Sequence, residues 1–149
     1  MRGLHWFRSD LRLKDNRALS DLSRAVDEWC GLFVLEPRLV DIPLVSRKRL
    51  SFLFECLDDL TSDIAQVGNR LIIVEGPAET QIPQLMHELS ASVLSFNEGT
   101  TPFAISRDQS VIRTVEKAGH TVIKRRDHVI FSATDIRSSK GSAYSVYTP

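Results

Sequence analysis

Gly3-Leu4-His5-Trp6-Phe7-Arg8-Ser9-Asp10-Leu11-Arg12-Leu13-Lys14-Asp15-Asn16-Arg17-Ala18-Leu19 is the stretch that decides the fold. It opens with a short apolar run, Gly3–Phe7, too short for a helix and without strict alternation. That pattern predicts a strand covered on both faces. The connection after it concentrates Arg8, Arg12, Arg17, Asp10, Asp15 and Asn16. A plain linker needs no such density of directional hydrogen-bonding groups. Arg–carboxylate pairing can pin such a loop beside a strand end. Asp15 or Asn16 can then cap a helix, predicted to run to about Trp29.

Four more apolar runs follow: Gly31–Leu35, Leu71–Val74, Val93–Phe96 and Thr121–Ile123. Helical segments separate them. Ser46 can cap the second helix, on which Leu50, Leu53, Phe54, Leu57, Leu60, Ile64 and Val67 form one stripe. Gly68 suits its left-handed C-terminal cap. Pro77 and Pro102 sit where a first helical turn accepts proline, and the last helix should end near Gly119.

Five strands alternating with four helices predict an α/β fold with right-handed crossovers. The expected architecture is a Rossmann-like, doubly wound, five-stranded parallel sheet of strand order 3-2-1-4-5. Helices should cover both faces, with Trp6, Phe33, Leu57 and Phe96 buried. The crossover direction reverses between strands 1 and 4, and ligands of open α/β sheets bind outside the strand carboxyl ends there. Phe7, Arg8 and Ser9 should line that crevice on one side, with Asn97, Glu98 and Gly99 on the other.

Composition bounds the reading. One domain suits 149 residues, and 42% apolar content supplies a core. Nineteen basic and nineteen acidic side chains cancel, so bulk charge gives no nucleic-acid affinity. Cys30 and Cys56 are read as buried, reduced thiols. His5, His87, His120 and His128 lack metal-ligand spacing, so no metal site is expected. The lack of a signal peptide and of an apolar run of about 18 residues predicts a soluble, cytoplasmic chain that engages no membrane. No P-loop, no G-x-G-x-x-G after strand 1 and no G-x-S-x-G elbow occurs.

The opening segment resembles the N-terminal signature of the photolyase/cryptochrome family, W-F-R-x-D-L-R-L-x-D-N-x-A-L. Arg49 to Leu60 is similar to that family's R-x-x-F-L-x-E-x-L-x-D-L helix. Gly68 to Leu71 and Glu75-Gly76-Pro77 resemble its G-x-x-L strand and G-x-P turn. Asn97, Pro102, Arg107 and Asp108 fit its N-x-x-x-x-P-x-x-x-x-R-D element. Asp127-His128 and Gly141 to Pro149 match its closing segment. The resemblance spans essentially the whole chain.

The resemblance implies the N-terminal, antenna-side α/β domain, residues 1–149, of a light-dependent DNA repair photolyase. There FAD transfers an electron to split pyrimidine dimers. FAD and the lesion pocket would belong to a C-terminal helical domain absent from this chain, so the 149 residues are not expected to catalyse. The partners implied are that helical domain in cis and damaged DNA. Self-association of the isolated domain, whose Tyr144–Pro149 tail is apolar, is also expected. Two alternatives stand: the same domain of a cryptochrome photoreceptor, and a stand-alone nucleotide-binding α/β module.

Family members often carry an antenna chromophore in this domain: a reduced folate, a deazaflavin or a flavin. Arg8, Glu36, Arg49, Asn97 and Glu98 are the candidates for its rim. Arg8, Asp10, Arg12, Asp15 and Asn16 form the structural motif, where an internal salt-bridge network without ligand is the other reading. Arg49 is equally readable as a solvated helix-end cation. The Lys124–Arg126 run is read as a solvated edge, with DNA-backbone or interdomain contact as the alternative. Gly99 and Thr101 stand where the family usually has acidic residues, so folate or deazaflavin binding is expected to be weak. Gly99→Asp with Thr101→Glu is expected to restore it.

Overall fold

The computed structural model describes residues 1–37, 46–131, 135–138 and 141–142. Five strands are present: β1 (Arg2–Phe7), β2 (Glu28–Leu35), β3 (Leu71–Glu75), β4 (Val93–Asn97) and β5 (Thr121–Arg125). Between them run α1 (Arg17–Ala25), α2 (Arg47–Gln66), α3 (Ala78–Glu88) and α4 (Pro102–Lys117). The sheet order is β3-β2-β1-β4-β5 and every pairing is parallel, as the alternation of elements predicts.

Alternation along β1 divides the core. Leu4 and Trp6 join Leu32, Val34, Leu94 and Phe96 under α3 and α4, whose Ile82, Met86, Val111 and Val115 cover that face. Phe7 turns to the other face, with Leu19 of α1 and Leu57, Leu60 and Ile64 of α2. Trp6, Phe33, Leu57 and Phe96 are buried, as expected. Burial of each such side chain stabilises by about 1.5–3 kcal/mol.

Helix ends follow the local chemistry. Asn16 caps α1, its side-chain oxygen accepting from Leu19 N at 3.1 Å. Ser46 caps α2 through Arg49 N, and Thr101 caps α4 through Ala104 N. Gly68, at φ +78°, ends the turn after α2 in the left-handed conformation that glycine adopts without cost. Pro77 is the cap of α3, one residue before the helix.

Four expectations need correction. Helix α1 stops at Ala25 instead of running to Trp29, because Val26 is extended and Asp27 and Glu28 donate to Met1 O. That pairing recruits Glu28, Trp29 and Cys30 into β2, opposite Arg2, Gly3 and Leu4. On α2, Phe54 and Val67 leave the stripe and are 47% and 56% exposed. Cys30 and Cys56 are free but half-buried; burial raises the Cys30 thiol above its ordinary pKa, with Arg70 pulling the other way. The expectation for Tyr144–Pro149 lies outside the described residues. No helix among the described residues is long and apolar enough to cross a membrane.

Candidate functional site

Crossovers leave β1 in opposite directions toward β2 and β4, so the carboxyl ends of β1 and β4 open a crevice. It has a volume of about 720 Å³, within the usual range for small-molecule sites. Arg8, Glu36, Arg49, Asn97 and Glu98 all border it, as do Phe7, Ser9 and Gly99. The five candidate rim residues are therefore brought together, but their side chains are engaged to different degrees.

Asn97 is buried in a network below the crevice. Its amide donates to Asp10 Oδ2 at 2.6 Å and to Asn16 Oδ1 at 2.8 Å, and its oxygen accepts from Ala18 N at 3.2 Å. Asn16 donates in turn to Asp10 Oδ2 and to Arg12 O. Asp10 also accepts from Arg8 N at 3.0 Å, which turns the chain at the end of β1. The network reaches His5, which lies 2.7 Å from Ser95 Oγ and 3.3 Å from Asn16 Nδ2. A neutral ring protonated on Nδ1 satisfies both partners. Burial is the main cause that lowers the His5 pKa, to about 4, against an opposing pull from Asp10; Arg8 lowers it further.

Arg8 crosses to α4. Its Nη1 donates to both oxygens of Asp108, at 2.7 and 2.9 Å. Arg107 donates to the same carboxylate at 3.1 Å and to Glu36 Oε1 at 3.0 Å. The Arg8, Arg107, Asp108 and Glu36 side chains are each 12% exposed or less, so these pairs are largely desolvated. Burial lowers the Arg8 pKa, and Asp108 opposes that shift. Both guanidiniums lie against aromatic rings. Arg107 Cζ is 4.6 Å and Arg8 Cζ 4.8 Å from the Trp6 ring centre, with Phe96 and Phe103 also in reach.

Glu98 receives Arg126 at 3.3 Å and Lys124 at 3.6 Å, and Arg125 bonds Asp21 at 2.5 Å. The Lys124–Arg126 run is therefore engaged in ion pairs within the domain. Arg12 likewise pairs with Asp127 at 2.5 Å and with Asp15 O at 2.8 Å, while Asp15 turns the loop at φ +51°. Arg49 alone among the five candidates is exposed, on the first turn of α2.

Sequence reasoning passed over Arg107, Asp108, Phe52 and Phe103 as site residues. Asp108 had a readable signal: it shares the buried stripe of α4 with Val111 and Val115, where a carboxylate requires partners. Phe52 and Phe103, 68% and 40% exposed, border the crevice over its Trp6 floor. Exposed rings beside an aromatic floor suit a planar aromatic guest. No buried polar side-chain atom among the described residues lacks a partner. A second hollow of about 760 Å³ lies beside α1, lined by Asp15, Arg17, Asp21, Arg24 and Trp29. Volume alone does not single out the crevice; the aromatic floor beneath paired cations does. No His/Cys/Asp/Glu cluster among the described residues could hold a metal.

This fold and site define a doubly wound α/β domain with a crevice at its topological switch point. The family model described as DNA photolyase matches residues 3–149. The chain belongs to the DNA photolyase family and corresponds to its N-terminal α/β domain. It is 33% identical to a deoxyribodipyrimidine photo-lyase of Synechococcus sp., over 98% of this chain and 30% of that protein. It is 32% identical to cryptochrome-1 of Gallus gallus, over 93% of this chain and 22% of that protein. A solved archaeal photolyase of Sulfolobus tokodaii with two FAD molecules superposes with a TM-score of 0.84. That match has 28% identity and covers 93% of this chain and 32% of that one. The chain thus spans less than a third of these relatives.

Proposed function

We propose that this chain is the antenna-side domain of a light-dependent DNA repair photolyase, acting in the cytoplasm. The single observation behind this reading is the crevice at the β1/β4 switch point, with its Trp6 floor, its Phe52 and Phe103 rim and its guanidiniums. An antenna chromophore bound there would absorb light and pass excitation on. This chain's residues would do the holding: Phe52 and Phe103 stack on it, Arg49 meets an anionic group, and the Arg8–Asp108–Arg107 cluster shapes the floor. FAD, damaged DNA and the lesion pocket belong to a C-terminal helical domain in cis.

A flavin fits this donor set better than a reduced folate, because Glu36, Asp108 and Glu98 all accept from cations and offer little to the several N–H groups of a reduced pterin. Titration of the chain with FMN, reduced folate and deazaflavin, followed by absorbance, tests this. Saturable FMN binding tighter than that of reduced folate is expected; no saturable change with any of the three would overturn the reading. The chain with added FAD and blue light should leave thymine dimers intact, and dimer reversal would contradict the division of labour.

The cryptochrome reading has its own support. Identity to the Gallus gallus cryptochrome, 32%, nearly equals that to the Synechococcus photolyase, 33%. Dimer repair by a chain extended through the helical domain separates the two.

A further inference from the structure

Trp6 is the sole indole or phenol bordering the crevice among the described residues. It is 1% exposed, so its ring potential is set by protein groups and little by water. Two guanidiniums face its ring, Arg107 at 4.6 Å and Arg8 at 4.8 Å from the ring centre. Asp108 and Glu36 fix those guanidiniums in place through hydrogen bonds of 2.7 to 3.1 Å. An Arg that only packed against the ring would extend to solvent. Here both side chains are drawn in to 12% exposure, and two carboxylates are buried to hold them.

An indole beneath a photoexcited aromatic ring is an electron donor. One electron would leave Trp6 for the excited ring, giving an indole radical cation and a singly reduced ring, and charge recombination would return both to the ground state. The excitation would be lost as heat. A positive charge near the indole disfavours its radical cation, by simple repulsion in a low-dielectric site.

We infer that Arg8 and Arg107 are positioning residues that guard Trp6, holding cations on the indole so that it does not quench a photoexcited chromophore in the crevice. The inference rests on the antenna reading. It makes the arginine pair a determinant of chromophore brightness, separate from chromophore affinity.

FMN is the probe, and its affinity and fluorescence lifetime are measured on the same samples. Arg107→Gln should shorten the bound lifetime about threefold or more, since one of two cations is gone. Arg107→Lys keeps the charge and should restore the lifetime. Adding Trp6→Phe to Arg107→Gln should restore it as well. If that double variant does not fold, transient absorption of Arg107→Gln should reveal an indole radical that forms as the excited FMN decays. A lifetime indifferent to Arg107→Gln, or one that Trp6→Phe does not rescue, overturns the guard. FMN bound as tightly as before with unchanged lifetime rejects the guard alone. FMN that does not bind the parent chain rejects the flavin assignment and, with it, the guard of a bound flavin. A ligand-free arm is independent of both: in Trp29→Phe, Trp6 is the remaining indole, and Arg107→Gln but not Arg107→Lys should shift its emission maximum. No shift would show that the cation does not act on the ring.

Discussion

A Cβ on Gly99 would stand 2.5 Å from Cβ of Ala104, closer than two such carbons approach. The loop after β4 is pressed onto the first turn of α4, and Gly99 N donates to Asp108 Oδ2 at 3.3 Å. Glycine at 99 is therefore a steric requirement of this loop. Thr101 is no vacant position either, because its hydroxyl caps α4 by accepting from Ala104 N at 3.2 Å. Gly99→Asp and Thr101→Glu, expected to restore a chromophore site, would therefore act against this close approach and against the cap.

Gly99→Ala should accordingly destabilise the domain by about 1–3 kcal/mol, the usual cost of overpacking. Ala104→Gly in the same chain should recover most of that loss. Thermal unfolding of the two single variants and the double variant reads this out. A Gly99→Ala protein as stable as the parent would refute the close approach.

Asp108 holds the end of β1 and the middle of α4 together. Asp108→Ala leaves the buried Arg8 guanidinium without its carboxylate, and Arg107 with Glu36 alone, and should cost about 3–5 kcal/mol. Removing Arg8 as well, as Arg8→Met/Asp108→Ala, should cost less than the sum of the single variants, because the uncompensated charge goes too. Urea midpoints with unchanged m-values are the measurement, and strict additivity would contradict the pairing.

His5 gives the domain a pH dependence. Its pKa falls from 6.5 to about 4 on folding, so below pH 6.5 the unfolded chain takes up a proton that the folded chain refuses. The stabilisation from the neutral ring is complete above about pH 6.5 and is lost progressively as pH falls toward about 4. By linkage this amounts to roughly 3 kcal/mol at most. The test is the difference between the parent and His5→Gln in urea unfolding from pH 7 to pH 4.5. It should shrink as pH falls, and a constant difference would argue against a neutral His5.

The sheet was legible because each strand is short, apolar and bounded by cappable helices. Gly3–Phe7 needed only one added residue to become β1. The α1 boundary was not legible, since nothing local to Val26-Asp27-Glu28 announces that Met1 O will capture the N–H groups of Asp27 and Glu28. The crevice could be located from topology alone, and its candidate residues do border it. Their engagement could not be read. That Asn97 spends its amide on Asp10 and Asn16, 87 and 81 residues away in sequence, is a property of the assembled switch point.

Arg49 offers the sharpest test of what enters the crevice. It stands on the first turn of α2 beside Arg47 and Lys48, with no acidic residue in that turn. Basic side chains at a helix N-terminus oppose the macrodipole, so this arrangement costs helix stability while concentrating positive potential at the rim. An anionic group of a bound ring would meet both the cation and the free N–H groups of the helix end. Arg49→Ala should therefore weaken FMN, which carries a phosphate, and leave riboflavin unchanged. Arg49 is exposed in the free chain, so the loss should be only about two- to tenfold at low salt and smaller as salt rises. Fluorescence titrations of both flavins at two ionic strengths decide it. Equal weakening of FMN and riboflavin would mean that Arg49 contacts the ring or supports α2, and that the phosphate does not lie at its side chain.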